Sequence, residues 1–189
     1  GWLKGHSLAM PAGICVMLLL GAFMGAGNGF AVTKLRMPAF IVTLTTMTFF
    51  SGLAIWITKS RGIAGLPPSF TTLGSNLWIA LFIAGVLAAF THLLLSRSLF
   101  GQWLYAVGHN ARTAKVSGVP VDAVLTGAYA ASGLLAAAAS VLYTARLETG
   151  SPVLGQRILL DVIGATVIGG TSLFGGKGKV AWTLGGVLF

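Results

Sequence analysis

Charged residues are scarce in this sequence, and acidic ones are almost absent. Asp and Glu together number 3 of 189 residues, Lys and Arg number 12, and charged residues make up 8% of the chain. A typical soluble domain carries about 25% charged residues, so these few cannot give a globule of this size a solvated surface. Together with 56% hydrophobic residues and a mean hydropathy of +0.90, this scarcity excludes a soluble domain.

Side chains that bind metals or perform catalysis are equally sparse. The single cysteine, Cys15, lies in an apolar run, so neither a disulfide framework nor a Cys-based metal site can form within one chain. His6 and His92 each stand alone, which predicts no metal site and no cofactor. An integral-membrane enzyme would need convergent acids, bases or metal ligands at membrane depth. The sequence offers no such cluster, and we predict that the protein is not an enzyme.

Long runs without Asp, Glu, Lys or Arg alternate with short charged stretches. The runs are residues 5–33, 37–58, 62–96 and 123–145. About 20 apolar residues in a helix cross a hydrocarbon core of about 30 Å. Each run therefore predicts one crossing, and the third is placed at Leu77–Ser96 because a Gly- and Pro-rich stretch precedes it. The expected fold class is all-α, a polytopic transmembrane helical bundle with about four full crossings plus a broken or re-entrant segment.

The two ends of the sequence suggest a piece of a longer protein. The chain begins with Gly, and its last ten residues form an apolar run too short to span. We therefore expect residues 1–189 to form a single transmembrane domain that is truncated at both ends.

The basic residues are spread over every loop, although the net charge is +9. Nucleic-acid binding would need a single stripe of cations, so no nucleic-acid partner is expected. If the segments after Thr33, Ser96 and Phe174 face the cytoplasm, they hold Lys34, Arg36, Arg97, Arg112, Lys115, Lys177 and Lys179. The opposite side holds Lys4, Lys59, Arg61, Arg146 and Arg157. Because this bias is modest, the charges alone leave the orientation open.

Small and hydroxylated residues mark the first two crossings. Gly21, Gly25 and Gly29 repeat at four-residue spacing, which predicts close approach of another helix. The second crossing is rich in Thr, including Thr43 and Thr46. Their hydroxyls can bond back to carbonyls of the same helix, so packing explains them. A polar translocation path is the alternative, although the same face continues into Phe50.

The segment 97–122 is the longest polar stretch, and we expect it to form a loop. Within His109–Ser117 the sequence predicts a short helix with Asn110 as its N-cap and Gly118 as its terminator. Small residues follow one side of this helix at three-residue spacing: Ala111, Ala114 and Ser117. The cations Arg112 and Lys115 share a face that could meet an acidic partner or lipid headgroups. A solvated connecting helix is the alternative.

Two blocks carry a family resemblance. Residues 108–119, GHNARTAKVSGV, resemble the G-x-N-x-x-A-A-R/K-x-S-G-I/V segment of sugar-type ABC importer permeases, the family of the bacterial ribose and xylose permeases. Thr113 departs from the first alanine of that pattern. Residues 160–178, LDVIGATVIGGTSLFGGKG, resemble the family's L-D-x-I-A-A-V/T-V-I/L-G-G-T-S-L-x-G-G-x-G, with Gly164 in place of an alanine.

The resemblance implies a multi-pass permease subunit of the bacterial inner (plasma) membrane. It would translocate a monosaccharide, a pentose or hexose, delivered by an extracytoplasmic sugar-binding protein. Its other partners would be cytoplasmic ABC ATPase subunits and a second permease subunit, expected to form a homodimer. The resemblance also sets the orientation and makes 97–122 a cytoplasmic coupling loop. The implied ATPase-coupling residues are Gly108, Asn110, Ala111, Arg112, Ala114, Lys115, Ser117 and Gly118.

The second block overlaps an apolar stretch, Ile158–Leu173, that is short for a full crossing. A broken or re-entrant element often lines a transport site, and a tight turn is the alternative. The candidate translocation-path residues are Asp161, Gly169, Gly170, Thr171, Ser172, Gly175 and Gly176. Asp161 is either a buried functional carboxylate or a helix-start carboxylate paired with Arg157.

Two other functions are compatible with the sequence. The same architecture could transport another small solute, such as a branched-chain amino acid, a nucleoside or a sugar-like signal. A secondary transporter is less favoured because such proteins normally place ionisable residues inside their helices.

Overall fold

Helices dominate the chain, and the all-α prediction is confirmed. The computed structural model describes residues 9–152, 154–172 and 175–188. Its elements are α1 (Ala9–Thr33), α2 (Ala39–Thr58), β1 (Ile63–Ala64), α3 (Pro68–Ser75), α4 (Leu77–Arg97), α5 (Leu99–His109), α6 (Ala111–Val116), α7 (Val121–Leu147), β2 (Thr149–Gly150), α8 (Leu154–Ile168) and α9 (Val180–Leu188).

Four of the described helices are long and apolar enough to cross a membrane. They are Met10–Thr33, Ala39–Thr58, Leu77–Arg97 and Val121–Leu147. These spans agree with the four predicted crossings to within a few residues, except at the first N-terminus, where residues 5–8 lie outside the described part. Few of their side chains are buried within the chain. A helix that is apolar all round is stable in lipid or against other apolar helices, so the exposure fits membrane spans.

The described residues form two compact units, one within 1–81 and 126–152 and the other within 82–125 and 153–189. In the first unit, β1 and β2 pair antiparallel, with Ile63 opposite Gly150 and Ala64 opposite Thr149. This ladder joins the connections after α2 and α7. Gly74, in α3, lies against the backbone of Ala145 and Arg146, where a Cβ atom would collide. Both contacts agree with the prediction that these two connections lie on one side of the membrane.

The glycine stripe of α1 packs against α7, as its spacing predicts. A Cβ atom added at Gly21 would lie 2.5 Å from the Ala137 Cβ, and one at Gly29 would lie 2.7 Å from the Thr126 Cα. At Gly25 it would collide with the carbonyl oxygen of Tyr129. These distances leave no room for a side chain, so glycine allows the two backbones to touch.

We expect Gly25→Val to destabilise the protein by roughly 1–3 kcal/mol, because an added side chain must push α1 and α7 apart. Gly27→Val is the matched control, since a Cβ atom there meets nothing within 4 Å. Thermal unfolding of both variants in the same detergent measures the difference. Equal melting temperatures for Gly25→Val and Gly27→Val would show that this interface does not depend on its glycine.

In the second unit, the prediction that 97–122 is a loop around one short helix is wrong for its first half. Residues 99–109 form α5, which Ser98 caps by accepting a hydrogen bond from the Gly101 amide at 3.0 Å. A small core of Val107, Ala114 and Val124 joins α5, α6 and the start of α7. Phe100, Leu104, Val119, Val121 and Leu125 pack around it. Phe100, Leu104 and Val107 are the residues of α5 that belong to this core, which has no signature in the charge pattern.

The predicted break near the end of the chain is present. Helix α8 has 15 residues and therefore a length of about 22 Å, short of a hydrocarbon core of about 30 Å. It ends at Ile168, and α9 starts at Val180. The two helices pack closely, because a Cβ atom at Gly186 would collide with the Ala165 carbonyl oxygen and one at Gly169 would lie 2.7 Å from the Thr183 Cα.

Candidate functional site

The predicted short helix of the coupling segment forms as α6. The Asn110 side-chain oxygen accepts hydrogen bonds from the amides of Arg112 and Thr113, each at 3.0 Å. Asn110 is therefore the N-cap, as predicted, and such a cap contributes about 1 kcal/mol. Gly118 ends the segment with a φ of +83°, a left-handed conformation that favours glycine.

Ala114 does not share a free face with the other small residues. It is 5% exposed and packs in the core between Val107 and Val124, whereas Ala111 and Ser117 are exposed. The predicted stripe of three small residues is therefore divided between an inward and an outward side. A bulky residue at position 114 would first overfill the permease's own core. The role of Ala114 is therefore to attach α6 to this core.

The outward side of α6 presents one apolar and two basic side chains. Val116 is 86% exposed, and Arg112 and Lys115 are exposed beside it. We name these three residues the α6 tip. Sequence reasoning found the two cations but missed Val116, because a single valine has no signal until the structure shows which side it occupies.

The described residues of the glycine-rich segment form a loop between α8 and α9, which we name the glycine loop (residues 169–172 and 175–179). A contact of 3.1 Å between the Thr171 and Thr183 hydroxyl oxygens joins the loop to α9. The Ser172 amide donates to the Lys177 carbonyl oxygen at 2.9 Å. Three glycines in the loop have positive φ: Gly170 at +72°, Gly175 at +89° and Gly176 at +73°. Leu173 and Phe174, the middle of the predicted block, lie outside the described residues.

The glycine loop packs directly on α5, just before α6. The Tyr105 hydroxyl donates to the Gly178 carbonyl oxygen at 2.7 Å. A Cβ atom added at Gly108 would collide with the Gly176 amide nitrogen and would lie 2.8 Å from the Gly176 Cα. The structure thus brings together two segments that the sequence marked separately, the one around Gly108 and the one around Gly176. Tyr105 lies outside both family blocks, and sequence reasoning did not single it out.

Asp161 differs from one of the two predictions made for it. It lies in the middle of α8, seven residues after Leu154, and is not a helix-start carboxylate. Its side chain is exposed within the chain, and burial of this carboxylate at membrane depth stays a prediction. The side chain of Arg157, its predicted partner, lies outside the described part. Among the described residues no group of three His, Cys, Asp or Glu could hold a metal ion.

The comparisons with known proteins agree with the family resemblance. Residues 2–185 match the family described as branched-chain amino acid transport system / permease component. No solved structure matches the chain with significance.

Three curated relatives are permeases of import systems. The chain is 40% identical to the ribose import permease protein of Bacillus subtilis, over 85% of this chain and 52% of the relative. It is 35% identical to the L-arabinose transport system permease protein of Escherichia coli, over 85% and 50%. It is 31% identical to the autoinducer 2 import system permease protein of Escherichia coli, over 100% and 56%.

The chain spans about half the length of the curated relatives it matches. The family match nevertheless covers nearly the whole chain, and the four apolar helices fit a membrane protein. The chain is a multi-pass membrane protein that belongs to the family of branched-chain amino acid transport system permease components.

Proposed function

We propose that the chain forms part of the permease subunit of an ABC importer that moves a monosaccharide, a pentose or hexose, across the bacterial inner membrane. The similarity to permeases named for ribose and L-arabinose import supports the solute class. The observation that carries the mechanism is the α6 tip: an exposed valine flanked by two cations on a short helix that is capped and anchored to the core.

An exposed apolar side chain with flanking cations is suited to a groove with an acidic rim. Burial of a valine contributes about 1.5–3 kcal/mol, and peripheral charges accelerate and orient association. We propose that a cytoplasmic ABC ATPase subunit supplies this groove. The permease would supply no catalytic groups and would receive its energy through this contact.

The glycine loop would carry the motion further into the permease. Because Gly108 and Gly176 touch backbone to backbone, α5 cannot shift without displacing the loop or opening the contact. The hydrogen bond from Tyr105 to Gly178 fixes the same pair of segments. In this mechanism, closure of the ATPase subunits moves α6, and the glycine loop passes the displacement to α8 and α9. This assigns Gly169, Gly170, Thr171, Ser172, Gly175 and Gly176 to coupling, with passage of solute over the loop as the second possible role.

The other partners follow from the same importer class. We propose a second permease subunit, as a homodimer, with alternating access between the two copies. An extracytoplasmic sugar-binding protein would deliver the solute to the side that carries the β1–β2 ladder.

Transport of a different small solute is the second candidate. The family description names branched-chain amino acids, and one relative is named for autoinducer 2 import. Import of either solute would keep the architecture of the permease and would change only the groups that contact the solute.

The test is reconstitution of the full-length permease in proteoliposomes with the ATPase and binding protein encoded beside it. We expect ATP-dependent uptake of one pentose or hexose and at least a several-fold stimulation of ATP hydrolysis by the loaded binding protein. Uptake of leucine but no sugar would support the second candidate. A permease that purifies alone and transports without ATP would contradict the importer function.

A further inference from the structure

A groove of about 540 Å³ runs along the contact between α1 and α7 within the first unit. Its floor is the glycine stripe, where the two backbones touch. The lining residues that carry polar side-chain groups are Asn28, Thr43, Tyr129, Ser132 and Ser140. The groove therefore combines an apolar floor with a set of hydroxyl and amide groups from three membrane spans.

The groove's polar groups differ from the threonines elsewhere in the spans. Thr46, Thr48 and Thr91 donate to carbonyl oxygens of their own helices at 2.7, 2.9 and 2.8 Å. Thr43, at the rim of the groove, bonds back in the same way at 3.0 Å. Such hydroxyls need no further partner.

The other four polar groups of the groove have no hydrogen-bond partner within the part of the chain that the structure describes. They are Asn28, Tyr129, Ser132 and Ser140. None of their polar atoms is sealed inside the protein, since no described side-chain nitrogen or oxygen is both buried and unpaired. Asn28 and Tyr129 are half-buried, Ser132 and Ser140 are exposed, and all four residues line the groove. A polar group left unpaired at membrane depth costs several kcal/mol, so a polar occupant of the groove would stabilise these groups.

Three polar residues of α7 form a row along the groove, which we name the polar track. Tyr129, Ser132 and Ser140 all line the groove, and 11 residues separate the first from the last, a rise of about 16 Å. This is about half the thickness of a hydrocarbon core. Asn28 adds an amide from α1, which can both donate and accept.

The side chains of the polar track are neutral and therefore favour an uncharged solute. Among the groove's lining residues none is Asp, Glu, Lys, Arg or His, so nothing there would pair with the ammonium or carboxylate of an amino acid, and an unpaired charge in such a place is costly. A monosaccharide carries only hydroxyls and ring or carbonyl oxygens, which match the neutral donors and acceptors of amide and hydroxyl side chains.

We propose that the α1–α7 groove is a stretch of the translocation route that binds an uncharged polyol, with Asn28, Tyr129, Ser132 and Ser140 as its hydrogen-bonding groups. This assignment rests on the proposed import function and adds the groups that would contact its solute.

The test uses the full-length transporter with its ATPase and binding protein in proteoliposomes, and uptake of ribose, L-arabinose, xylose and glucose. For the transported sugar, we expect the double variant Ser132→Ala/Ser140→Ala to lower the maximal uptake rate about tenfold, as for two lost hydrogen bonds of about 0.7 kcal/mol each. Tyr129→Phe, which removes a single hydroxyl, should lower it about threefold. Ser132→Thr/Ser140→Thr, which keeps the hydroxyls, should retain more of the rate than the alanine variant.

Thr48→Val is the matched control because it also removes one hydroxyl from a span, but one that bonds back to its own helix outside the groove. It should change uptake less than twofold. In every variant, stimulation of ATP hydrolysis by the loaded binding protein should persist, which separates a route defect from misfolding or lost coupling. Wild-type sugar uptake that all groove variants retain would overturn the groove assignment alone. A wild-type transporter that moves leucine or no solute would overturn the sugar function, and the polyol groove with it.

Discussion

A Val116→Glu variant of the full-length permease is expected to lose its ATPase subunits while keeping its fold. Val116 is 86% exposed and makes no contribution to the core of Val107, Ala114 and Val124. Substitution therefore spares the permease itself. In the proposed complex the side chain enters a groove, where a carboxylate would be desolvated and would face an acidic rim. We expect the affinity for the ATPase to fall at least 100-fold, about 3 kcal/mol.

The measurement is co-purification of the ATPase with each permease variant, followed by ATP hydrolysis in proteoliposomes. Leu35→Glu is the matched control: Leu35 is 61% exposed and lies in the loop after α1, which the predicted topology places on the same side of the membrane as α6. It should bind the ATPase as the wild type does. Full ATPase binding and sugar uptake by Val116→Glu would exclude the α6 tip as the docking surface.

The spans and the N-cap of α6 could be predicted because their physical causes are local. A helix of about 20 apolar residues crosses the membrane whatever its neighbours are, so charge-free runs were enough to locate α1, α2, α4 and α7. Likewise Asn110 caps α6 with its own side chain, two and three residues from its partners. The stripe of Gly21, Gly25 and Gly29 predicted close packing, but only the structure identified α7 as the partner.

Features that depend on distant residues could not be predicted from the sequence. Helix α5 was assigned to a loop because the charge pattern gives no sign that Phe100, Leu104 and Val107 pack in a core with α6 and α7. Ala114 was assigned to the docking surface because three-residue spacing shows that residues share a side of a helix but not which side is covered. The contact between Gly108 and Gly176 joins residues 68 positions apart, and no local pattern encodes such a pairing.

That contact makes Gly108→Ala the second substitution with a large expected effect. A methyl group in the interior of a helix normally stabilises it by roughly 0.5–1 kcal/mol relative to glycine. At Gly108 the added Cβ atom would collide with the backbone of Gly176. Backbone cannot rotate away as a side chain can, so α5 and the glycine loop must separate. We expect a loss of about 1–3 kcal/mol and, because the link from α6 to α9 is opened, ATP hydrolysis without matching uptake.

Gly164→Ala is the control, and for this variant we expect a gain in stability instead of a loss. Gly164 lies within α8, where a Cβ atom meets nothing within 4 Å, and the family pattern has alanine at this position. The same chemical change should therefore raise the melting temperature there and leave the ratio of sugar imported to ATP hydrolysed unchanged. If Gly108→Ala is as stable as Gly164→Ala and imports as much sugar per ATP, the glycine loop has no part in coupling. If Gly108→Ala is destabilised but still coupled, the contact serves folding alone and α6 must act through α7.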